Sequence, residues 1–292
     1  VSLLVTLMAH ATSERSYEIT EEREPCADFE PLRRPFFGDT HVHTAYSFDA
    51  SIQDTRNTPR DAYRFAQGEA MGIQPYDEEG KPLRWIQIDR PLDWTVISDH
   101  AELMGEVRLC TTPGTWQYWH PVCFIKRHFP SLAIMAFGLK TLVEKERYSG
   151  ICGGDGERCR EGTRAFWDSI QAAAEEAYDR SDSCDFTSFV GYEWTASVGH
   201  GQNLHRNVIF RNDKVPPLPV SWIDTPTAVD LWDQLQSECV DGISGCDAFT
   251  IPHNSNLSGG LNFQTARVSS SEVPGETSVE EARRRSRWEP IA

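Results

Sequence analysis

Phe36-Phe37-Gly38-Asp39-Thr40-His41-Val42-His43-Thr44-Ala45-Tyr46-Ser47-Phe48-Asp49 is the stretch from which the rest of the chain is read. Taken as a strand running into a loop, it places Asp39, His41 and His43 on one face, because strand side chains alternate with period 2. Two imidazoles two residues apart can converge on one cation, and neutral imidazole nitrogen is a favoured zinc ligand. Asp49 adds a carboxylate from the loop. The alternative is a surface strand that happens to carry two histidines, and only the remainder of the chain separates the two.

The 292 residues suffice for one barrel or two smaller domains. Hydrophobic content is 39%, with nine Trp and fourteen Phe, so a globular fold is expected rather than extended disorder. The formal charge is −16, and such an acidic surface repels phosphodiester backbones, which argues against nucleic acid as a partner. A cationic site inside this acidic shell remains compatible with a small anionic substrate, drawn by the site itself.

Residues 1–11, Val1 to Ala11, form an apolar run ending Ala9-His10-Ala11, the small-x-small pattern of a signal-peptide cleavage site. We read them as a signal-peptide remnant whose start is missing; a buried strand is the alternative. The run is too short to span a bilayer, and no transmembrane segment is expected. Residues 12–35 read as a polar linker. The implied location is the periplasm or outside the cell, and the even count of eight cysteines suits disulfides there. Cys152/Cys159 and Cys239/Cys246 each bracket turn-forming residues that a local bridge would staple. A zinc ribbon is disfavoured, since no Cys-x-x-Cys occurs, but the pairing itself cannot be read from the sequence.

Thr58-Pro59-Arg60-Asp61 predicts a capped helix start, running toward Gly72. Lys81 to Arg90 reads as a hairpin or connector. Leu92 to Ser98 is a buried strand ending at Asp99-His100. Residues of about 101–163 read as a Cys-containing insertion capping the scaffold, with one apolar segment from Leu132 to Val143. An amphipathic helix follows from Arg164 to Tyr178, with Phe166, Ile170, Ala173 and Ala177 on its buried face. Further strands are expected at Phe186–Glu193, Leu204–Phe210 and Ala248–Asn254, with a capped helix opening near Thr225-Pro226-Thr227. Alternation of strands and helices predicts an α/β fold around a parallel sheet or barrel. His41, His43, His100, Glu193 and His253 then fall at or just past strand C-termini, where α/β barrels place their chemistry.

A mixed imidazole and carboxylate shell suits zinc, manganese or iron better than magnesium or calcium. Glu193 is placed to bridge two cations. Asp39 and Asp99 are candidate acceptors orienting histidine rings, with Asn254 beside His253; helping to close turns at strand ends is their alternative role. Clustered divalent ions activate water and clamp phosphoryl oxygens, so hydrolysis is the reaction the pattern predicts. No Gly-rich phosphate cradle, Gly-x-Ser-x-Gly elbow or His-Glu-x-x-His helix points elsewhere.

His41-x-His43 with Asp49, Ser98-Asp99-His100, Gly191-Tyr192-Glu193-Trp194, His205-x-Asn207 and Pro252-His253-Asn254 occur in the order of the motifs of the polymerase-and-histidinol-phosphatase (PHP) superfamily. Their fuller wording resembles a PHP-like bacterial family catalogued only as a domain of unknown function, over roughly Phe36 to Gly260. The resemblance implies an α/β fold of the distorted (β/α)7 barrel type over residues 36–292, with two or three divalent metals at its mouth. It implies His41, His43 and Glu193 at a first metal, and Glu193, His205 and His253 at a second. Asp49, standing where many members have His, and His100 would serve a third. The superfamily's closing Asp-x-His does not follow His253, so the barrel is expected to be incomplete here, and the fragment to bind metal poorly and be inactive. Glu193 and His100 are the expected catalytic residues. The leading reading is a phosphoesterase. Hydrolysis of another ester or an amide, or a non-catalytic metal-stabilised binding module, are the alternatives.

Overall fold

The computed structural model describes residues 23–28, 30, 34–198, 202–253, 257–262 and 279–290. The proposed signal remnant, the first part of the linker and Asn254 lie outside them. Strand β1 (Gly38–Val42) precedes helix α1 (Phe48–Ile52) and helix α2 (Pro59–Ala66). Thr58 caps α2 as the sequence predicts: its side chain accepts from Asp61 N–H while the Asp61 carboxylate accepts from Thr58 N–H. The helix stops six residues short of Gly72, because Gly68 turns the chain at φ 96°. Residues Met71–Tyr76 then form β2, which pairs antiparallel with β3 (Pro82–Ile86) in a surface hairpin.

Strand β4 (Trp94–Ile97) lies between β1 and β5 (Thr187–Phe189), parallel to both. Its Thr95, Val96 and Ile97 are buried, as expected of a central parallel strand covered on both faces. After Val190 the chain continues as β6 (Gly191–Val198), antiparallel to β7 (Gln202–Phe210), which is antiparallel in turn to β8 (Ala248–His253). This half departs from the expected all-parallel order. Only three residues separate β6 from β7, too few for the crossover that a parallel return requires.

The two sheets are stitched where β4 ends. Glu193 N–H donates to Asp99 O at 3.0 Å, and Ala101 N–H donates to Glu193 O at 2.9 Å, forming a parallel bridge between His100 and Glu193. Gly191 permits this approach, since a Cβ there would lie 2.5 Å from Val96 Cγ2 and 2.7 Å from Val208 O. Among the described residues no backbone ladder joins β8 to β1. The two strands meet through side chains, with the His41 and His253 ring centroids 4.1 Å apart.

The insertion is helical: α3 (Met104–Thr111), α4 (Pro121–His128), α5 (Pro130–Gly138) and α6 (Ser149–Cys152) surround a small core that includes Leu103, Val122, Phe137 and Ile151. The long helix α7 (Glu157–Ala177) begins two turns earlier than its amphipathic pattern indicates. It crosses α3 closely, and a Cβ on Gly105 would lie 2.0 Å from Cys159 O. Phe166, Trp167, Ile170 and Ala173 of α7 join Tyr192, Trp194 and Phe210 in the main core. Helix α8 (Ala228–Leu235), capped by Thr227, and helix α9 (Val279–Trp288) complete the described chain.

All eight cysteines are paired, as Cys26–Cys184, Cys110–Cys123, Cys152–Cys159 and Cys239–Cys246. Both local loops singled out in the sequence are therefore closed. Four disulfides fit an extracellular or periplasmic setting. No described helix is long and apolar enough to cross a membrane.

Candidate metal centre

Strand periodicity and the β4–β6 bridge bring seven of the candidate ligands to one place. Glu193, on β6, is fully buried, and five histidines face its carboxylate. His41 Nε2, on β1, lies 3.2 Å from Oε2, and His43 Nε2, just past that strand, lies 2.9 Å from it. His253 Nε2, at the end of β8, is 3.4 Å from the same oxygen. His100 Nδ1 stands 3.6 Å from Oε1, and His205 Nδ1 meets Oε1 directly. His205 and His253 are cross-strand partners on β7 and β8. Asp49 completes the group: its Oδ2 is 2.9 Å from His43 Nδ1 and 3.9 Å from His100 Nε2. Ser47 Oγ donates to Asp49 Oδ1 at 2.6 Å.

Electrostatics bind these groups into one unit. Burial would raise Glu193, but the imidazoles of His100, His205, His253 and His41 hold it well below the usual carboxylate range. Burial would likewise lower His43, yet hydrogen bonds to Asp49 and Glu193 carry it up to about 10. His100 is driven down to about 4, chiefly by burial.

The donor set fits divalent cations. A carboxylate offers about four lone-pair directions, fewer than the rings aimed at Glu193. His205 Nε2 and His253 Nδ1 are buried without a hydrogen-bond partner, and His253 Nε2 has only the 3.4 Å approach to Glu193 Oε2. Each such orphan costs on the order of 1–3 kcal/mol, which coordination by a neutral imidazole lone pair removes. Three triads have ligand atoms within 4.8 Å of one another: His41/Glu193/His253, His43/Asp49/His100 and His100/Glu193/His205. Glu193 belongs to two of them, in keeping with a bridging position. The groups overlap: His43 Nε2 also reaches Glu193 Oε2, at 2.9 Å, beside His41, and the His205 and His253 rings lie 5.4 Å apart, centroid to centroid, across β7 and β8.

Asp39 and Asp99 do not orient imidazoles. Asp39 is exposed, and its Oδ1 accepts from His41 N–H at 2.8 Å. Asp99 is buried and accepts from Thr44 N–H and from Thr44 Oγ1 at 2.5 and 2.7 Å, pinning the loop after β1. Burial raises its carboxyl to about 6. Both thus fill the turn-closing role.

Two functional groups escaped the sequence reading. Thr195 Oγ1 lies 2.9 Å from Glu193 Oε1 and 3.0 Å from both His100 Nδ1 and His205 Nδ1, at the hub of the cluster. Strand periodicity was the available signal, since Thr195 follows Glu193 by two residues on the same face. Glu102 is buried, and its Oε1 accepts from Thr195 N–H and Trp222 N–H, both at 3.0 Å. Its Oε2 has no partner and stands 3.8 Å from His100 Nδ1; burial raises this carboxyl to about 8. Asn207, quoted in the sequence only as part of a motif, donates from Nδ2 to Thr40 O at 2.7 Å and holds β1 against β7.

His41, His43, Asp49, His100, Glu193 and His205, with Thr195 and Glu102, line a cavity of about 560 Å³. The site thus defines a chain with a buried imidazole–carboxylate cluster suited to divalent metal, opening on a substrate-sized space. Over residues 30–292 the chain matches the family described as Protein of unknown function (DUF3604), and it belongs to that family. No curated protein and no solved structure matches it.

Proposed function

We propose that this chain is a metal-dependent hydrolase of phosphate esters. It would use two or three zinc, manganese or iron ions held by His41, His43, Asp49, His100, Glu193, His205 and His253. One observation carries the reading: a single buried carboxylate, Glu193, ringed by five imidazoles, with ring nitrogens left over that no protein group satisfies. The order of motifs resembling the PHP superfamily supports it, and membership of that superfamily is part of the proposal, as is a periplasmic or secreted location.

Bound in this cluster, divalent ions activate water for attack and stabilise charge on phosphoryl oxygens. The chain's own residues prepare the site. Thr195 fixes the Glu193 carboxylate and two rings at once, and Asp49, itself held by Ser47, sets the His43 ring. Glu102 lines the same cavity and keeps a buried Oε2 3.8 Å from His100 Nδ1. Burial of Glu193 keeps bulk water from competing for its oxygens.

The test is elemental analysis of the purified protein, then turnover of phosphomonoesters and phosphodiesters with zinc, manganese or iron supplied. More than one ion per chain and metal-dependent phosphate release are expected. A metal-free protein that stays inactive under every supplied ion overturns the proposal. The largely apolar far side of the cavity favours one second reading, a carboxylic ester or amide as substrate. A panel of such compounds, run beside the phosphate esters, distinguishes them.

A further inference from the structure

The cavity beside the cluster has two unlike sides. One carries the imidazoles, Glu193 and Glu102. The other is formed by Phe48 and Ile52 of α1, Leu103 at the start of α3, Ile134 of α5, and Leu257 past β8. Gly138 and the neutral Asn203 complete the lining. Ile52 and Leu103 belong to the scaffold, being 9% and 6% exposed. Ile134 and Leu257 do not, at 52% and 47% exposed. Their apolar surface is turned to the open space rather than packed into the protein.

Helix α5 explains how Ile134 comes to be there. Ala133 and Phe137, four residues apart, form its buried stripe, and Phe137 packs 5.4 Å, ring to ring, from Phe48. The outward positions of an ordinary surface helix are polar. Here they are Leu132, Ile134 and Met135, followed by Leu139 just past the helix, all exposed. A wall of this kind beside a polar centre is a costly way to enclose water and offers nothing to a sugar or nucleotide, whose hydroxyls would lose hydrogen bonds against it. The volume, about 560 Å³, is in the range that takes a whole small molecule, well beyond a phosphoryl group.

We infer that the substrate is amphiphilic: an ester whose reacting anionic group meets the His/Glu cluster while an alkyl, acyl or aryl group lies along Phe48, Ile52, Leu103 and Ile134. This inference rests on the proposed hydrolase reading for the reacting end, and on the wall alone for the apolar end. Ile134 is then the specificity-determining residue most open to change, because it contributes surface to the cavity without holding up the core.

The experiment measures binding rather than turnover, so that the two ends are read separately. Affinities of the metal-loaded protein are determined by calorimetry for n-alkyl phosphonates from methyl to octyl, and for the matching n-alkanols. Burial of each methylene predicts a gain of roughly two- to fourfold per carbon over the first several carbons. Ile134→Asp should flatten that rise, read within the variant as the ratio of octyl- to methylphosphonate affinity. Ile134→Trp should shorten the chain length at which the rise ends. Leu132→Asp, on the outer side of the same helix, should change neither. Phosphonates that bind with no dependence on chain length overturn the inference, as does a rise that Ile134→Asp leaves intact. Failure of every phosphonate to bind, with the alkanol series still rising and still sensitive to Ile134, removes the phosphate reading and leaves the apolar site standing. Sedimentation with phosphatidylglycerol vesicles separates the two sources of such a molecule. A chain-length gain together with pelleting through Leu132, Met135 and Leu139 assigns a membrane lipid. The same gain without pelleting assigns a soluble ester.

Discussion

Glu193 and Glu289 are both buried acids tied to β7, and they are met by opposite kinds of partner. At Glu289, Oε1 accepts from Arg206 Nε at 2.6 Å and Oε2 accepts from Arg285 Nε at 2.7 Å. Each oxygen has its own permanently charged donor, and the result is a clasp holding α9 onto the sheet. At Glu193 the partners are five imidazoles, which are weak bases able to offer lone pairs as well as protons. Burial and a carboxylate are common to both places. A carboxylate whose two oxygens each meet one permanent donor is architecture. A charge surrounded by more ligand atoms than it can satisfy is a site awaiting something else.

The largest effect expected from breaking this contrast falls on Glu193→Gln. Changes beside a metal ligand cost about 10–100-fold in affinity or activity, so loss of the shared carboxylate should exceed about 100-fold in turnover and lower the metal content. Full metal occupancy with normal turnover in this variant would show that Glu193 is a scaffold acid like Glu289. Glu289→Ala should do the reverse. With Arg206 fully buried, removal of its partner predicts a stability loss of about 3–5 kcal/mol, a fall in Tm on the order of 10 °C. Metal content below the new Tm should be unchanged. A double replacement, Arg206→Met with Glu289→Leu, should recover most of that loss, because a well-packed apolar pair carries no desolvation penalty. Chemical denaturation of the three variants reads this directly.

How much of this contrast is legible before folding differs between its two sides. His41, His43, Asp49, His100, Glu193, His205 and His253 stand out in one dimension, because ordered polar motifs at the ends of apolar runs are visible in the residues themselves. What joins them is not visible there. Their convergence on Glu193 depends on the bridge between the end of β4 and β6 and on the pairing of β8 with β7, and no local propensity encodes either. The Ser/Glu/Arg-rich segment that carries α9 gave no sign of docking, since Trp288 and Glu289 become buried only by meeting Thr250 and Arg206 on distant strands. Glu102 was passed over because an acid in an apparently irregular stretch reads as surface until Trp222 and Thr195 close over it. Thr195 was within reach of the period-2 argument already used for His41 and His43.

Thr195 also supplies the next prediction in size. Thr195→Val keeps shape and burial but removes the hydroxyl shared by Glu193, His100 and His205. It should weaken metal affinity by about 10–100-fold, read by competition with a chelator, and Thr195→Ser should restore most of the loss. If Thr195→Val binds metal normally, the hub is a packing contact and the cluster is held by its ligands alone.

The effect most remote from the metal centre concerns a third buried charge that fits neither side of the comparison. Lys126, on α4, is 2% exposed, and its Nζ donates to Ser51 Oγ at 2.7 Å, tying the insertion to α1. Burial, with a smaller push from Arg127, lowers the ammonium from 10.5 to about 7. The sign follows from proton counting. Between about pH 7 and 10.5 the unfolded chain holds a proton on this lysine that the folded chain does not, so stability rises with pH across that window and levels off outside it. The slope from one such group is at most about 1.4 kcal/mol per pH unit. Lys126→Met should remove this slope, raise stability near neutral pH, and leave metal content intact, as followed by denaturation at a series of pH values. An unchanged slope would mean that Lys126 keeps its proton when folded. The ammonium would then be a paired structural charge after all, closer to Arg206 than to the imidazoles around Glu193.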